Sequence, residues 1–321
     1  MRIWCNGDFG TEGMALLREG TRAHTLVLSA ALNSSVLAVG TRDPAMKGVE
    51  IAFGQPDAAD CMETPTLRWI EVSSAGYTRY DTEEFRTALR QRGALFTNAS
   101  QVYADPCAEH VLAMMLALGR QLLPSYHSQL TDHGWPYEDR RGKTRLVRGQ
   151  TLTMLGFGAI GRRLAELLAP FGLRLYALRR QLRSEPGVHV VAEESLTRVL
   201  AESDHVVNIL PENEATRNYV NARRIGCFKA GARFYNVGRG ATVDQDALIA
   251  GLKSGRIGAA YLDVMVPEPL PPGHPLWSTP NCYLTPHSAG GQQQGELALV
   301  RHFLANLAAF EKGGSLTDRV V

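Results

Sequence analysis

Residues Leu152–Gly172 read LTMLGFGAIGRRLAELLAPFG. A short apolar run leads straight into Gly156, Gly158 and Gly161 in GxGxxG spacing, and a helical pattern follows that stops at Pro170 and Gly172. The glycine spacing alone says little. A strand before it and a helix behind it make a βα unit built round a phosphate-binding turn. Gly156 permits the tight turn, Gly158 lets a pyrophosphate approach the backbone, and Gly161 lets the helix pack close to the strand. The helix N-terminus adds unpaired N–H groups and partial positive charge. Gly156, Phe157, Gly158, Ala159, Ile160 and Gly161 are therefore expected to line a dinucleotide.

The next strand candidate, LRLYALRR, ends in Arg179 and Arg180. About twenty residues beyond the glycines, an acid ordinarily holds the adenosine ribose hydroxyls. A guanidinium cannot accept those hydrogen bonds, but it makes charge-assisted bonds to a ribose 2′-phosphate. NADP is expected over NAD, with NAD as the alternative. Two solvent-facing arginines at a strand end are the competing explanation.

Further along, HVVNIL, ARFYNVG, IGAAYLDV and CYLTP read as short strands, with DQDALIAGLKSG as an amphipathic helix between two of them. Upstream, HTLVLSA, SVLAVG, GVEIAFGQP, LRWIEVSSAGY and ALFTNAS are strand candidates. YDTEEFRTALRQRG has an acidic start, a basic end and a glycine stop, which suits a helix. This alternation predicts α/β architecture with parallel sheets. Residues 105–123 read as a long buried helix crossing between domains, 124–148 as polar surface loop, and 292–314 as a helix able to return to the first domain.

A chain of 321 residues suggests about two domains. The net charge of +2 offers no global attraction for nucleic acid or an anionic membrane. The five cysteines are scattered and form no CxxC pair, so neither a disulfide framework nor a zinc site is expected, and no metal is assigned. Reduced thiols, no signal-peptide core and no apolar run of membrane-spanning length point to a cytoplasmic protein.

Three residues carry the chemistry. Arg239 sits between two glycines in YNVGRGATVD, where its fork can grip a carboxylate. Glu268 lies in the proline-rich AAYLDVMVPEPLPPGHPLW, five residues after Asp263. His287 lies in NCYLTPHSAGG. All three follow predicted strands, so all can face the crevice at the carboxyl ends of a doubly wound sheet. The trio suits reduction of an α-keto acid. A histidine passes the proton, a carboxylate orients it, and an arginine holds the substrate and polarises its carbonyl. His274 and His110 are the competing histidines; the loop of His274 carries no second functional signal, and His110 falls in a helix interior, where a structural role is expected. In the first domain, the N–H groups of Ala75 and Gly76 form a candidate anion nest. Ser100 and Tyr103 are candidate polar lining, though simple turns explain these positions almost as well.

LRWIEVSSAGY, TNASQVYADPCAEHVLAMMLALGR, LVRGQTLTMLGFGAIGRR, NILPENEATRNYVN, NVGRGATVDQDALIAGLKSGRIGAAYLDVMVPEPLPPGHPLW and NCYLTPHSAGG, in that order and spacing, resemble the D-isomer-specific 2-hydroxyacid dehydrogenases. The likeness runs along nearly the whole chain. It implies two Rossmann-like domains with the cofactor domain, residues 113–291, inserted into a substrate domain of residues 1–112 and 292–321. It implies substrate binding by Arg239, orientation of the histidine by Glu268 and acid–base catalysis by His287. Cofactor contacts are implied at Pro211, Val237, Gly238 and Asp263, with dimers formed through the cofactor domains. Within the family, an NADPH-preferring glyoxylate or hydroxypyruvate reductase is the nearest expectation. The same fold also serves a non-enzymatic nicotinamide-binding scaffold or corepressor-like protein, and a related enzyme could oxidise a non-carbon substrate such as phosphite.

Overall fold

The computed structural model describes residues 1–33 and 39–321. They fall into two compact units, Met1–Tyr103 with Gly291–Val321, and Ala104–Gly290.

The first unit begins with β1 (Arg2–Gly7), α1 (Gly10–Gly20), β2 (Thr25–Asn33), β3 (Ile51–Gly54), α2 (Ala58–Glu63), β4 (Trp69–Val72), α3 (Glu83–Arg92) and β5 (Leu95–Thr97). Its sheet is parallel, in the order β2-β1-β3-β4-β5. β3 and β4 are buried at every position, as central strands covered on both faces must be. α3 has the ends its sequence announces. The Thr82 hydroxyl accepts from the Phe85 N–H, acids fill the first turn, and Gly93 closes the helix with a φ of 65°.

The second unit holds α4 (Ala104–Gly119), α5 (Leu122–Leu130), α6 (Tyr137–Lys143), β6 (Thr151–Leu155), α7 (Ala159–Leu168), β7 (Arg174–Leu178), β8 (His189–Val191), α8 (Leu196–Glu202), β9 (His205–Asn208), α9 (Ala222–Gly226), β10 (Ala232–Asn236), α10 (Gln245–Lys253), β11 (Ile257–Leu262) and β12 (Cys282–Leu284). Its seven strands form one parallel sheet, β12-β11-β10-β9-β6-β7-β8. Apolar side chains from β6, β9, β10, β11, α8 and α10 form its core, Leu155, Val206, Phe234, Leu262, Leu200 and Leu248 among them.

α11 (Gly295–Glu311) belongs to the first unit and packs on α1. Its Phe303 stacks on Phe53 of β3 at 4.2 Å and on Trp69 of β4 at 5.2 Å. A polar cluster lies beside these rings. Buried Glu71 takes hydrogen bonds from His302 Nδ1 (3.0 Å), Asn306 Nδ2 (2.7 Å) and Thr97 Oγ1 (3.0 Å). Asp318 Oδ2 lies 3.3 Å from the other ring nitrogen of His302, an ionic contact not aligned as a hydrogen bond.

Several expectations change. The domain boundary expected at 112/113 would cut α4, whereas the whole helix packs on α7 and stays with the second unit. The loop expected over 124–148 contains most of α5 and all of α6. Glu138 and Asp139 at the start of α6, with Arg140, Arg141 and Lys143 at its end, complement its dipole despite Pro136 before the helix and Gly142 within it. β1 and β8 were not anticipated. The strand expected over SVLAVG, residues 35–40, lies mostly outside the described residues. Among the described residues no helix is long and apolar enough to cross a membrane, and no cluster of His, Cys, Asp and Glu could hold a metal.

Candidate active site

Strand order in the second unit reverses at β6, which has β7 on one side and β9 on the other. The glycine turn follows β6, and Ile209–Pro211 follow β9 beside it. Gly156 has a φ of 90°, and a Cβ there would stand 3.1 Å from the Ile209 carbonyl oxygen. Only glycine meets both demands. A Cβ on Gly158 would meet nothing within 4 Å. Open space over that residue, with the unpaired N–H groups that begin α7, fits a pyrophosphate. A Cβ on Gly161 would stand 2.9 Å from the Phe157 ring, so this glycine makes room for that buried ring. Phe157 is thus left with its backbone to offer the loop, beside Ala159 and Ile160.

Arg179 and Arg180 do follow β7, but the strand end is not free of acids. Glu185 Oε1 lies 2.6 Å from Arg179 Nη1. Arg180 is exposed and forms no ion pair with the described residues.

Val237, Gly238 and Arg239 follow β10. The glycines flanking Arg239 serve close approach. A Cβ on Gly238 would stand 2.8 Å from the Leu210 carbonyl oxygen, and one on Gly240 would stand 2.3 Å from the Met265 carbonyl. A buried polar set beneath the turn fixes its path. Asn208 Nδ2 donates to Asn236 Oδ1 (2.9 Å) and Thr242 Oγ1 (2.7 Å), and Asn236 Nδ2 (3.2 Å) and Thr242 Oγ1 (2.7 Å) donate to the Arg239 carbonyl. The Arg239 side chain is partly buried, with Nη1 donating to the Gly238 carbonyl at 2.7 Å. Burial pushes its guanidinium below the usual arginine range, against the opposing pull of Glu268, Glu212 and Cys107.

His287 Nδ1 and Glu268 Oε2 are 2.7 Å apart, with the two side chains 25% and 33% exposed. The other Glu268 oxygen accepts from the Met265 N–H at 2.9 Å. Burial alone would raise this carboxyl, but the hydrogen bonds from His287 and Met265 outweigh it and hold the group below the usual glutamate range. An ionised carboxylate only accepts, so Nδ1 carries the proton and Nε2 is the nitrogen left for chemistry. His287 itself has a φ of 51°. That left-handed conformation is uncommon for a residue with a Cβ and needs support from its surroundings. Asp263 provides it. Its carbonyl accepts from the His287 N–H (2.9 Å), and its buried carboxylate accepts from Ser288 N (2.9 Å), Ala289 N (3.0 Å) and Thr285 Oγ1 (2.5 Å). Tyr261 hydrogen-bonds Thr285 and His110 in turn. Each hydroxyl has one proton, so the carboxylate at the end sets the direction: His110 donates to Tyr261, Tyr261 to Thr285, and Thr285 to Asp263.

In the first unit, the turn after β4 is held from both sides. Asn98 Nδ2 donates to the Ala75 carbonyl (2.8 Å), and Ser74 Oγ donates to the Gly76 carbonyl (2.6 Å). Among the described residues the N–H groups of Ala75 and Gly76 have no acceptor, the arrangement an anion nest requires. The Ser100 N–H donates to Asn98 Oδ1 at 3.2 Å, and the Tyr103 hydroxyl donates to the Ser73 carbonyl at 2.8 Å. Gln55 escaped the sequence reading. Its side-chain amide donates to Ser73 and Ser74 at 3.0 and 3.1 Å and accepts from Arg79 at 3.1 Å.

The family model for the NAD binding domain of D-isomer specific 2-hydroxyacid dehydrogenases matches residues 112–289. The chain belongs to that family. It is 33% identical over 265 residues to a glyoxylate reductase of Aeropyrum pernix, covering 80% of this chain and 78% of that one. A glyoxylate/hydroxypyruvate reductase B of Pectobacterium atrosepticum is 31% identical over 276 residues, covering 83% of each. The crystal structure of a D-isomer specific 2-hydroxyacid dehydrogenase from Xanthobacter autotrophicus Py2, in complex with NADPH and MES, superposes with a TM-score of 0.80 at 26% identity over 100% of this chain and 98% of that one.

This D-isomer-specific 2-hydroxyacid dehydrogenase is thus an NAD(P)-dependent oxidoreductase that interconverts 2-keto and 2-hydroxy acids. The non-enzymatic scaffold reading gives way to it. Within the dehydrogenase, Arg239, Glu268 and His287 all lie beyond the carboxyl ends of the second sheet, as do the glycine turn, Pro211, Val237, Gly238 and Asp263. His110 is tied into the Asp263 chain, and the ring of His274 caps its own turn, with Nδ1 accepting from the Leu276 N–H at 3.2 Å. Asn208, Asn236, Thr242, Tyr261 and Thr285 are the supporting residues that sequence reasoning missed. The only signal was a polar group at a strand position for Asn208, Asn236 and Tyr261; Thr242 and Thr285 lie in the turns that follow strands.

Proposed function

We propose that the enzyme reduces a small 2-keto acid of the glyoxylate or hydroxypyruvate type, with NADPH preferred. The observation that carries the chemistry is the 2.7 Å contact between His287 Nδ1 and Glu268. Reduced nicotinamide, when bound, supplies the hydride. The protein does the rest. His287, protonated on both nitrogens, gives the Nε2 proton to the carbonyl oxygen of the substrate and keeps the Nδ1 proton, which it donates as a hydrogen bond to Glu268. In the reverse direction Nε2 takes the proton back. Arg239 holds the substrate carboxylate and polarises its carbonyl. The Ala75 and Gly76 N–H groups are a further candidate grip for a carboxylate. The glycine turn and the start of α7 hold the pyrophosphate.

The relatives that bear the names glyoxylate reductase and glyoxylate/hydroxypyruvate reductase support the substrate class. The NADPH in the Xanthobacter structure and the arginines after β7 support the cofactor. In this reading Ala104–Gly290 is the cofactor domain and the remainder the substrate domain. Leu122, Tyr126, Leu130, Trp135, Tyr137 and Leu146 are large apolar side chains exposed along and beside α5 and α6. A second copy of the chain covering them makes the enzyme a homodimer.

The test is a panel of glyoxylate, hydroxypyruvate and longer keto acids, each with NADPH and NADH. Turnover of the short acids, with kcat/KM higher for NADPH, is expected. No turnover of either short acid, or a higher kcat/KM with NADH, would overturn that part of the proposal.

A further inference from the structure

The acid missing from the end of β7 in sequence returns through the fold. Residues beyond Arg180 turn back, with Glu185 bridged to Val188 through the backbone, and this brings Glu185 Oε1 to 2.6 Å from Arg179 Nη1. The two side chains are only 19% and 23% exposed, so both groups are held in place and partly shielded from water. Arg179 is fixed from its own backbone too, its N–H donating to the Val191 carbonyl at 3.4 Å.

The pair has opposite consequences for the two dinucleotides. A ribose 2′-phosphate must share the Arg179 fork with a carboxylate already on it, and it brings its own negative charge beside Glu185. A ribose 2′-hydroxyl has a proton to donate and can give it to Glu185. We infer that Glu185 is a specificity-determining residue, one that restrains the preference Arg179 creates for the phosphorylated dinucleotide and keeps NADH usable. The inference rests on the reading of Arg179 as the 2′-phosphate contact.

Glu185→Gln removes the charge and keeps an oxygen able to accept from Arg179. In the full-length enzyme, kcat/KM for NADPH over that for NADH should rise about three- to tenfold in Glu185→Gln, mostly through a lower KM for NADPH. Glu185→Ala should shift the ratio the same way, and serves if the glutamine variant folds poorly. Arg179→Ala should lower the ratio at least about tenfold. If Arg179→Ala lowers the ratio but both Glu185 variants leave it within twofold of wild type, the inference is wrong and the NADPH reading stands. If Arg179→Ala leaves the ratio unchanged, both fall.

Discussion

Glu268 Oε2 stands 2.7 Å from Nδ1 of His287, and the other oxygen of that carboxylate is anchored on the Met265 N–H. A two-point hold of this kind fixes both the direction of the imidazole and the nitrogen that carries its resting proton. Glu268→Gln keeps the size but can donate as well as accept, so the tautomer is no longer imposed. We expect kcat for keto-acid reduction to fall by about 10² or more, with NADPH affinity unchanged. A variant with kcat within twofold of wild type would show that Glu268 does not orient the base.

Asp263 holds the backbone of the His287 turn, and Thr285 is the side chain that donates to its carboxylate. Thr285→Val deletes that donor at almost constant volume. Steady-state kinetics should show kcat down about tenfold with the KM of the keto acid nearly unchanged, since the turn that carries the base is loosened while the substrate grip is not. Thr285→Ser, which restores the hydroxyl, should recover activity to within about twofold. Equal losses in the serine and valine variants would remove the hydroxyl from the account.

Arg239 is a planar fork on a turn that the Asn208, Asn236 and Thr242 network holds rigid. Arg239→Lys keeps the charge and loses the two-point geometry. Its kcat/KM for the keto acid should drop at least about tenfold, through both KM and kcat, and Arg239→Ala should drop it further. A lysine variant indistinguishable from wild type would mean that charge alone is used.

The cluster beneath α11 predicts a pH dependence of stability. Burial of His302 would lower its pKa, but Asp318 and Glu71 outweigh that effect and raise it to about 9. A group whose pKa is raised by folding stabilises fully below its unfolded value, about 6.5, and loses that contribution as the pH climbs through the folded value. Stability from this site, about 2 kcal/mol after allowance for partial solvent screening, should therefore drain away between pH 6.5 and about 9. Tm measured across that window should fall less steeply in His302→Gln than in wild type. Parallel curves would contradict the assignment.

Much of this was readable from the chain because short-range rules dominate it. The glycine turn is one βα unit whose spacing, strand and helix are contiguous. Arg239, Glu268 and His287 each sit just past an apolar run, and in a parallel sheet that position alone brings them to one end. What stayed hidden depends on chain reversal or on neutral polar residues. Glu185 reaches Arg179 only because residues 180–188 fold back, and no periodicity marks that. Asn208, Asn236 and Thr242 look like ordinary strand and turn residues until their mutual hydrogen bonds are seen. α6 looks like loop in the sequence because Pro136 and Gly142 outweigh the charge pattern between them. β1 and β8 lack the alternation that would have marked them, one being nearly all buried and the other only three residues long.

The most direct measurement is the single-turnover rate of glyoxylate reduction by His287→Ala, beside its Kd for NADPH. The rate should fall by about 10²–10⁴ while the Kd stays at the wild-type value. An alanine variant that reduces glyoxylate at the wild-type rate would contradict the assignment of this imidazole as the proton donor.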